Sequence, residues 1–254
     1  LEADLSLEAK MAKKVALVTG GSRGIGAAIV RSLAARGFKV AVNCLSNGAM
    51  AEEVLRECGG DGAVFKADAR DHSAVADMVK AIEATLGPVD AAVHNANIHF
   101  PMGPFWLQPW SEVQAKLTGE LGAFHALVSA VGPGMVERKW GRIVAISSSL
   151  SRFASEGFGA HAAAKSALDG AVRVLSREMG PSGVTVNVVA PGLVETDATA
   201  HQPETIKKWI AGATPLRRIG LPDDIGGAVA FLCSDEARWV TGQYLPLNGG
   251  INTV

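Results

Sequence analysis

Short runs of β-branched and apolar residues alternate along the chain with longer stretches in which apolar positions recur every three or four residues. That alternation predicts βαβ units. A parallel strand buried on both faces reads as a continuous apolar run, and the crossover helix reads as a stripe. Val15–Thr19 reads as a buried strand, followed by a glycine-rich turn and a helix through about Arg36. Gly37 stops that helix, and Lys39–Val42 reads as the second strand. A helix at Ala49–Cys58, a strand at Ala63–Lys66 and a helix over Ser73–Leu86 complete a first half, closed by Gly87-Pro88.

The second half keeps this rhythm. Ala91–Val93 reads as a strand, and Ser111 with Gln114 three residues on predicts a capping box that opens a long helix. Its expected inward stripe is Val113, Leu117, Leu121, Phe124 and Val128. Ile143–Ser147, Thr185–Val189 and Tyr244–Leu247 read as strands, with helices near Ala160–Met179 and Pro222–Cys233 between them. Seven strand candidates, no polar linker and no internal repeat predict one α/β domain over residues 11–254. The expected architecture is a single Rossmann-type doubly wound sheet of about seven parallel strands with helices on both faces. Residues 1–10 lack the basic and apolar regions of a signal peptide and precede Met11, which reads as a natural start. They are expected to be an extension or cloning remnant outside the fold.

Composition narrows the function classes. A chain of 254 residues, 48% hydrophobic and 19% charged, can bury one large core. A net charge of −1 with no basic stripe argues against a nucleic-acid partner. No apolar run approaches the roughly 18 residues of a membrane span, so no membrane partner is expected. Cys44, Cys58 and Cys233 are odd in number and widely spaced. They are expected to be small hydrophobes in a reducing cytoplasm, with neither a disulfide framework nor a metal site.

The candidate chemistry begins at Thr19-Gly20-Gly21-Ser22-Arg23-Gly24-Ile25-Gly26, between a predicted strand and a predicted helix. Glycines there let the backbone turn tightly and approach a pyrophosphate, and the helix N-terminus adds free N–H donors. Sites selective for NAD place a carboxylate after the second strand to hold the ribose 2′-hydroxyl. Here Val42-Asn43-Cys44-Leu45-Ser46-Asn47 carries no acid. Repulsion against a 2′-phosphate is thereby removed. Arg23 could form charge-assisted bonds to that phosphate, and Asn43 and Ser46 could add neutral donors. NADP(H) is the expected cofactor.

With these motifs the chain resembles the short-chain dehydrogenases/reductases, whose Thr-Gly-x-x-x-Gly-x-Gly turn it carries at Thr19–Gly26. The resemblance runs from Lys13 to Gly250 and implies further cofactor contacts. Asp68-Ala69 would meet the adenine, Asn95-Ala96 belong to the family's Asn-Asn-Ala-Gly segment, and Asn187, Pro191-Gly192, Val194 and Thr196 would close the nicotinamide side. The tail Arg218-Ile219-Gly220, Asp224-Ile225, Phe231-Leu232, Thr241-Gly242 and Asn248-Gly249-Gly250 is most similar to bacterial β-ketoacyl-acyl carrier protein reductases. That likeness implies a cytoplasmic homotetramer acting on a small-molecule or carrier-bound substrate.

The catalytic positions depart from the family. Its chemistry rests on an Asn, a Ser and a Tyr-x-x-x-Lys pair. Ser148 matches the serine and Lys165 the lysine, which the family uses to hold the nicotinamide ribose. His161 stands where the tyrosine belongs, and the single tyrosine is Tyr244 in the last strand. Ungapped spacing back from Ser148 puts Glu120 at the asparagine position, with Lys116 the neighbouring alternative. His94 and Asn97 replace the first Asn and the Gly of the Asn-Asn-Ala-Gly segment. Histidine titrates near ~6.5 against ~10 for tyrosine, so His161 is suited to proton transfer at neutrality. Lys165 would disfavour its cation and Glu120 would favour it.

Plainer roles compete with these. Glu120 could sit on a solvated helix face paired with Lys116 four residues earlier, and His161 could merely pack. The aromatic, proline-rich loop Ile98–Trp110, with Phe153 and Phe158, could wall an apolar pocket or meet a neighbouring subunit. The functional readings are an NADPH-dependent reductase of a hydrophobic or carrier-bound carbonyl, an imine reductase in which Glu120 faces the iminium, and C=C reduction or His161-based isomerisation or dehydration. A catalytically silent NADP-binding protein is the reading from another class.

Overall fold

The computed structural model describes residues 13–200 and 202–253. The expectation for residues 1–10 therefore lies outside the described residues. Seven strands, β1 (Val15–Val18), β2 (Lys39–Cys44), β3 (Gly62–Lys66), β4 (Val89–His94), β5 (Gly141–Ile146), β6 (Val184–Pro191) and β7 (Tyr244–Leu247), form one sheet. Their order is β3-β2-β1-β4-β5-β6-β7, and every neighbouring pair is parallel. Every residue of β1, β5 and β6 is buried, Arg142, Thr185 and Asn187 among them, and the unbroken apolar reading holds for β1.

The helices are α1 (Gly24–Ala35), α2 (Gly48–Glu57), α3 (His72–Thr85), α4 (Trp110–Glu137), α5 (Gly159–Met179), α6 (Glu204–Ala213) and α7 (Pro222–Leu232). Side chains of α1, α2 and α7, among them Ile29, Val54 and Ile225, share one core with the sheet. Val79 of α3, Leu127 of α4 and Leu168 of α5 share the core on the other face. The elements predicted from the pattern omit α6, and that helix buries none of its residues. Strand order reverses between β1 and β4, so the connections leaving their carboxyl ends diverge and open a crevice. All the candidate chemistry lies at that end of the sheet.

Two expectations for α4 need correction. The helix begins at Trp110 with Pro109 as its N-cap, so Ser111 lies inside the first turn and makes no capping box. Its inward face is Val113, Lys116, Glu120, Phe124, Leu127 and Val131, whereas Leu121 is exposed and Leu117 and Val128 are half-buried. The helix is turned so that two charged residues point into the protein. Leucine burial favours the other rotation. Opposite charges that neutralise one another, and carbonyls that cap them, allow this one. Cys44 and Cys233 are buried, as small hydrophobes would be, while Cys58 is half-buried; all three are free. Among the described residues no helix is long and apolar enough to cross a membrane.

Candidate active site

The glycine-rich turn is held from behind by side chains that face the protein. Thr19 Oγ1 accepts the N–H groups of Asn95 (2.9 Å) and Ala96 (3.1 Å). Asn95 Nδ2 donates to the carbonyls of Thr19 and Gly20, each at 3.0 Å. Thr19 and Asn95 thereby lock the end of β1 to the end of β4. A Cβ on Gly26 would lie 2.1 Å from Gly20 O, so only glycine lets α1 start flat against the turn. Ser22, Arg23 and Ile25 remain at the open side, with Arg23 exposed at the N-cap of α1. Thr196, in the loop after β6, packs its methyl group over Gly24. The closing loop thus reaches the cradle.

Other expected cofactor residues divide. Asn43 Nδ2 donates to Phe65 O (3.2 Å) and Ala67 O (3.1 Å), so both of its amide protons stitch β2 to the end of β3. The donor role expected of it is corrected to that of a strut, while Ser46 stays exposed. Both oxygens of Asp68 are gripped by Arg70, at 2.9 Å from Nε and 2.6 Å from Nη2, and this pairing holds the carboxyl below its ordinary range. Ala69 is buried beside it. Gly192 N donates to Leu247 O at 3.0 Å, continuing the β6–β7 pairing past Pro191. Thr199 Oγ1 donates to Val194 O at 2.6 Å, fixing the bend that presents Thr196. Asn187 lies deeper, donating to Val240 O and accepting from Gln243 N, and has no face toward the crevice mouth.

The other wall of the crevice is charged and sealed. Glu120 is completely buried. Its Oε1 accepts from Lys165 Nζ at 2.6 Å and its Oε2 from Lys116 Nζ at 2.5 Å. Lys165 also donates to Ile146 O (2.7 Å), two residues before Ser148, which ties α5 to the end of β5. Lys116 also donates to Ile98 O (2.9 Å) and Asn97 Oδ1 (3.3 Å), both in the segment after β4. His94 closes the cluster from below. Its Nε2 approaches Glu120 Oε1 to 3.4 Å, yet neither ring nitrogen meets the geometry of a hydrogen bond. The i, i+4 pair of Lys116 and Glu120 was legible in the sequence. Its burial was not.

His161, on the first turn of α5, is buried under Phe100, whose ring centroid lies 4.4 Å from that of the imidazole. Its Nδ1 is buried without a partner. Phe105 lies flat on Gly159, where a Cβ would fall 2.5 Å from the ring, so the loop after β4 rests on the start of α5. The outer side of that loop leaves Met102, Trp106, Leu107 and Trp110 exposed. Ser148 Oγ accepts from Leu150 N at 3.2 Å, which leaves its own proton free to donate. Sequence reasoning gave Tyr244 no role. Its phenol donates to Ser148 O (3.3 Å) and receives Ser151 Oγ (3.3 Å), while the Arg152 guanidinium stacks on its ring at 3.7 Å. The tyrosine thus braces the turn that carries Ser148.

These positions set the charge states. Burial works against ionising Glu120, but Lys165, His94 and Lys116 outweigh it and hold the carboxyl well below the carboxylate range. Burial, with Lys165 and Lys116 adding repulsion and Glu120 opposing, pushes His161 down to about 3. Burial pushes Lys116 and His94 down too. His161 is therefore a neutral imidazole at pH 7. The near-neutral titration expected of it is corrected, because desolvation and two nearby ammonium groups outweigh one carboxylate.

A doubly wound sheet with a glycine-rich turn at its switch point defines the class of dinucleotide-binding Rossmann proteins. The family described as enoyl-(acyl carrier protein) reductase matches residues 20–252. The chain belongs to this family, within the short-chain dehydrogenase/reductase oxidoreductases. It is 39% identical to nodulation protein G of Azospirillum brasilense, covering 95% of this chain and 99% of that one. It is 38% identical to the 3-oxoacyl-(acyl-carrier-protein) reductase FabG of Escherichia coli K12, covering 95% and 98%. It is 39% identical to the acetoacetyl-CoA reductase of Rhizobium meliloti, covering 93% and 98%. A solved blue fluorescent protein from a metagenomic library, in complex with NADPH, superposes with a TM-score of 0.86 at 37% identity, covering 94% and 98%.

Proposed function

We propose that this protein is an NADPH-dependent reductase of a carbonyl group on a hydrophobic or carrier-bound substrate. The carbonyl oxygen sits between Ser148 and His161, above Lys165. One observation carries the reading: the Glu120 carboxylate is spent on two ammonium groups, with His161 neutral beside them. The wall therefore has an excess of one positive charge. That field suits an oxygen that gains negative charge as hydride arrives and opposes a cationic iminium. Glu120 has no free oxygen to face an imine, so carbonyl reduction is favoured over imine reduction. Isomerisation or dehydration through His161 is disfavoured for a related reason, since a group titrating about 3 is a weak base at neutrality.

The cradle fits the dinucleotide, since Gly26 leaves room for close backbone approach and Arg23 with Ser46 stands ready for a 2′-phosphate. Bound NADPH supplies hydride to the carbonyl carbon. Ser148 donates its free hydroxyl proton as a hydrogen bond, and neutral His161 orients the oxygen through a ring N–H. His161 has no proton to spare, so the acid is the Lys165 ammonium, four residues further along α5. The names of the relatives point to a β-ketoacyl thioester. The test is loss of NADPH absorbance with acetoacetyl-CoA, aryl ketones and cyclic imines. Turnover of a ketone, abolished in Ser148→Ala and Lys165→Met, is expected. Preference for imines, or full activity in Ser148→Ala, would overturn the reading.

A further inference from the structure

His161 has to point a ring N–H at the carbonyl oxygen, yet no hydrogen bond fixes its ring. Its Nδ1 is buried without a partner, so the ring can reach an oxygen only through Nε2. Elsewhere, the hydrogen bond made by one imidazole nitrogen decides the state of the other. Around His161 on α5 stand Ala160, Ala162, Ala163 and Ala164, too small to grip a ring. Lys165 is turned to Glu120 and Ile146. The last torsion of a histidine side chain has a broad range, so its direction falls to packing. Among the described residues the ring that meets the imidazole is Phe100, with centroids 4.4 Å apart and planes tilted by 34°. Phe100 is itself held from several directions. Phe158 lies 6.1 Å from its centroid and the Lys116 ammonium 5.4 Å. Lys116 also donates to Ile98 O (2.9 Å), two residues before it. Gln108 Nε2 donates to Pro101 O (3.3 Å) and Gly103 O (2.9 Å), just after it. Gly103 N donates in turn to Gly157 O (3.1 Å), which ties this loop to the segment that enters α5. The phenyl ring is better fixed than the imidazole it covers.

We propose that Phe100 is a positioning residue, whose ring holds the plane of His161 so that Nε2 faces the carbonyl oxygen. The inference rests on the carbonyl-reductase reading. It assigns to aromatic stacking the task that a hydrogen bond would otherwise perform, since a tilted, offset pair of rings attracts as well as excludes water. Phe100 transfers no proton and acts only through the imidazole. Its cover also keeps that ring dry. Burial is the largest influence holding His161 neutral, ahead of repulsion by Lys165 on α5 and Lys116 on α4, with Glu120 on α4 opposing. Removing the phenyl ring should therefore disturb both the direction and the charge of the imidazole.

Three substitutions in the full-length protein separate positioning from filling space. Phe100→Leu keeps an apolar side chain but has no ring. Its kcat for a ketone should fall about tenfold or more, since a small misplacement at a reacting centre can cost about a hundredfold. NADPH affinity should not change. Phe100→Tyr keeps the ring, and because Phe100 is half-buried the added hydroxyl can reach water. Its kcat should stay near the wild-type value. A residue that only walled the substrate would instead raise KM in Phe100→Leu and leave kcat alone. Phe100→Ala opens the imidazole to water and is read by heteronuclear NMR of histidine-labelled protein. The His161 signals are identified by their loss in His161→Phe. In the wild type they should stay flat through the ordinary histidine range near ~6.5, and in Phe100→Ala they should begin to titrate there. Wild-type kcat in Phe100→Leu, an equal fall in Phe100→Leu and Phe100→Tyr, or a His161 signal unmoved in Phe100→Ala overturns the positioning role. The spectra need no substrate. A wild type that reduces no ketone would therefore count against the reductase reading, while the spectra still decide whether Phe100 holds the ring.

Discussion

The two walls of the crevice are built by opposite means. The wall at the ends of β1 and β2 is made of backbone, glycine and neutral side chains that satisfy one another, as Thr19 does with Asn95 and Asn43 with β3. The wall at the ends of β4 and β5 buries Lys116, Glu120, Lys165, His94 and His161, with the two imidazoles left short of hydrogen bonds. The first shape depends on sterics and changes little with pH. The second depends on charge balance, so its chemistry is obtained at a cost in stability. Binding and catalysis should accordingly respond to different substitutions.

The largest effect belongs to the charged wall. Glu120→Gln leaves two ammonium groups without their counter-charge, and should lower unfolding free energy by about 3–5 kcal/mol in denaturant titration. A loss under about 1 kcal/mol would mean that the lysines are solvated, and the contrast between the walls would collapse. Next comes pH. His161 titrates at about 3 in the folded protein and near ~6.5 unfolded, so the unfolded chain binds the extra proton between those values. The stability contributed by its neutral form is complete above ~6.5 and is lost as pH falls toward 3. His161→Phe should flatten the acid limb of a stability profile by up to about 1.4 kcal/mol per pH unit. For the same reason, wild-type kcat should show no histidine titration between pH 5 and 8.

Effects on the neutral wall should appear in binding. In Gly26→Ala the new methyl group meets Gly20 O, and overpacking of this kind costs about 1–3 kcal/mol. Dinucleotide affinity, measured by calorimetry, should weaken by about tenfold to a hundredfold, since the turn cannot keep its shape. His161→Phe, on the charged wall, should leave that affinity within about twofold. The smallest effect is selective. Arg23→Ala should weaken NADPH binding about tenfold, the worth of one charge-assisted bond, and leave NADH binding unchanged. Equal losses for both cofactors would assign Arg23 to the pyrophosphate rather than to the 2′-phosphate.

The strand and helix order was legible because periodicity is a local property. An apolar run such as Val15–Val18 has one comfortable place, a strand buried on both faces. The glycine turn was legible for a similar reason, since Gly26 answers to an atom only six residues away. Helix α6 was legible too, since Ile206, Trp209, Ile210 and Ala213 recur at helical spacing, but it buries none of its residues. The charged wall lay beyond local reading altogether. Leu117 and Leu121 argued for one rotation of α4, and the opposite one is stabilised by Lys165, 45 residues from Glu120, and by the carbonyl of Ile98, 18 residues from Lys116. Residue types alone determined the sheet, its switch point and the list of candidate side chains. Tertiary structure decided which of them are sealed from water, and hence which carry charge, because the cost of ionising a group depends on what surrounds it in space.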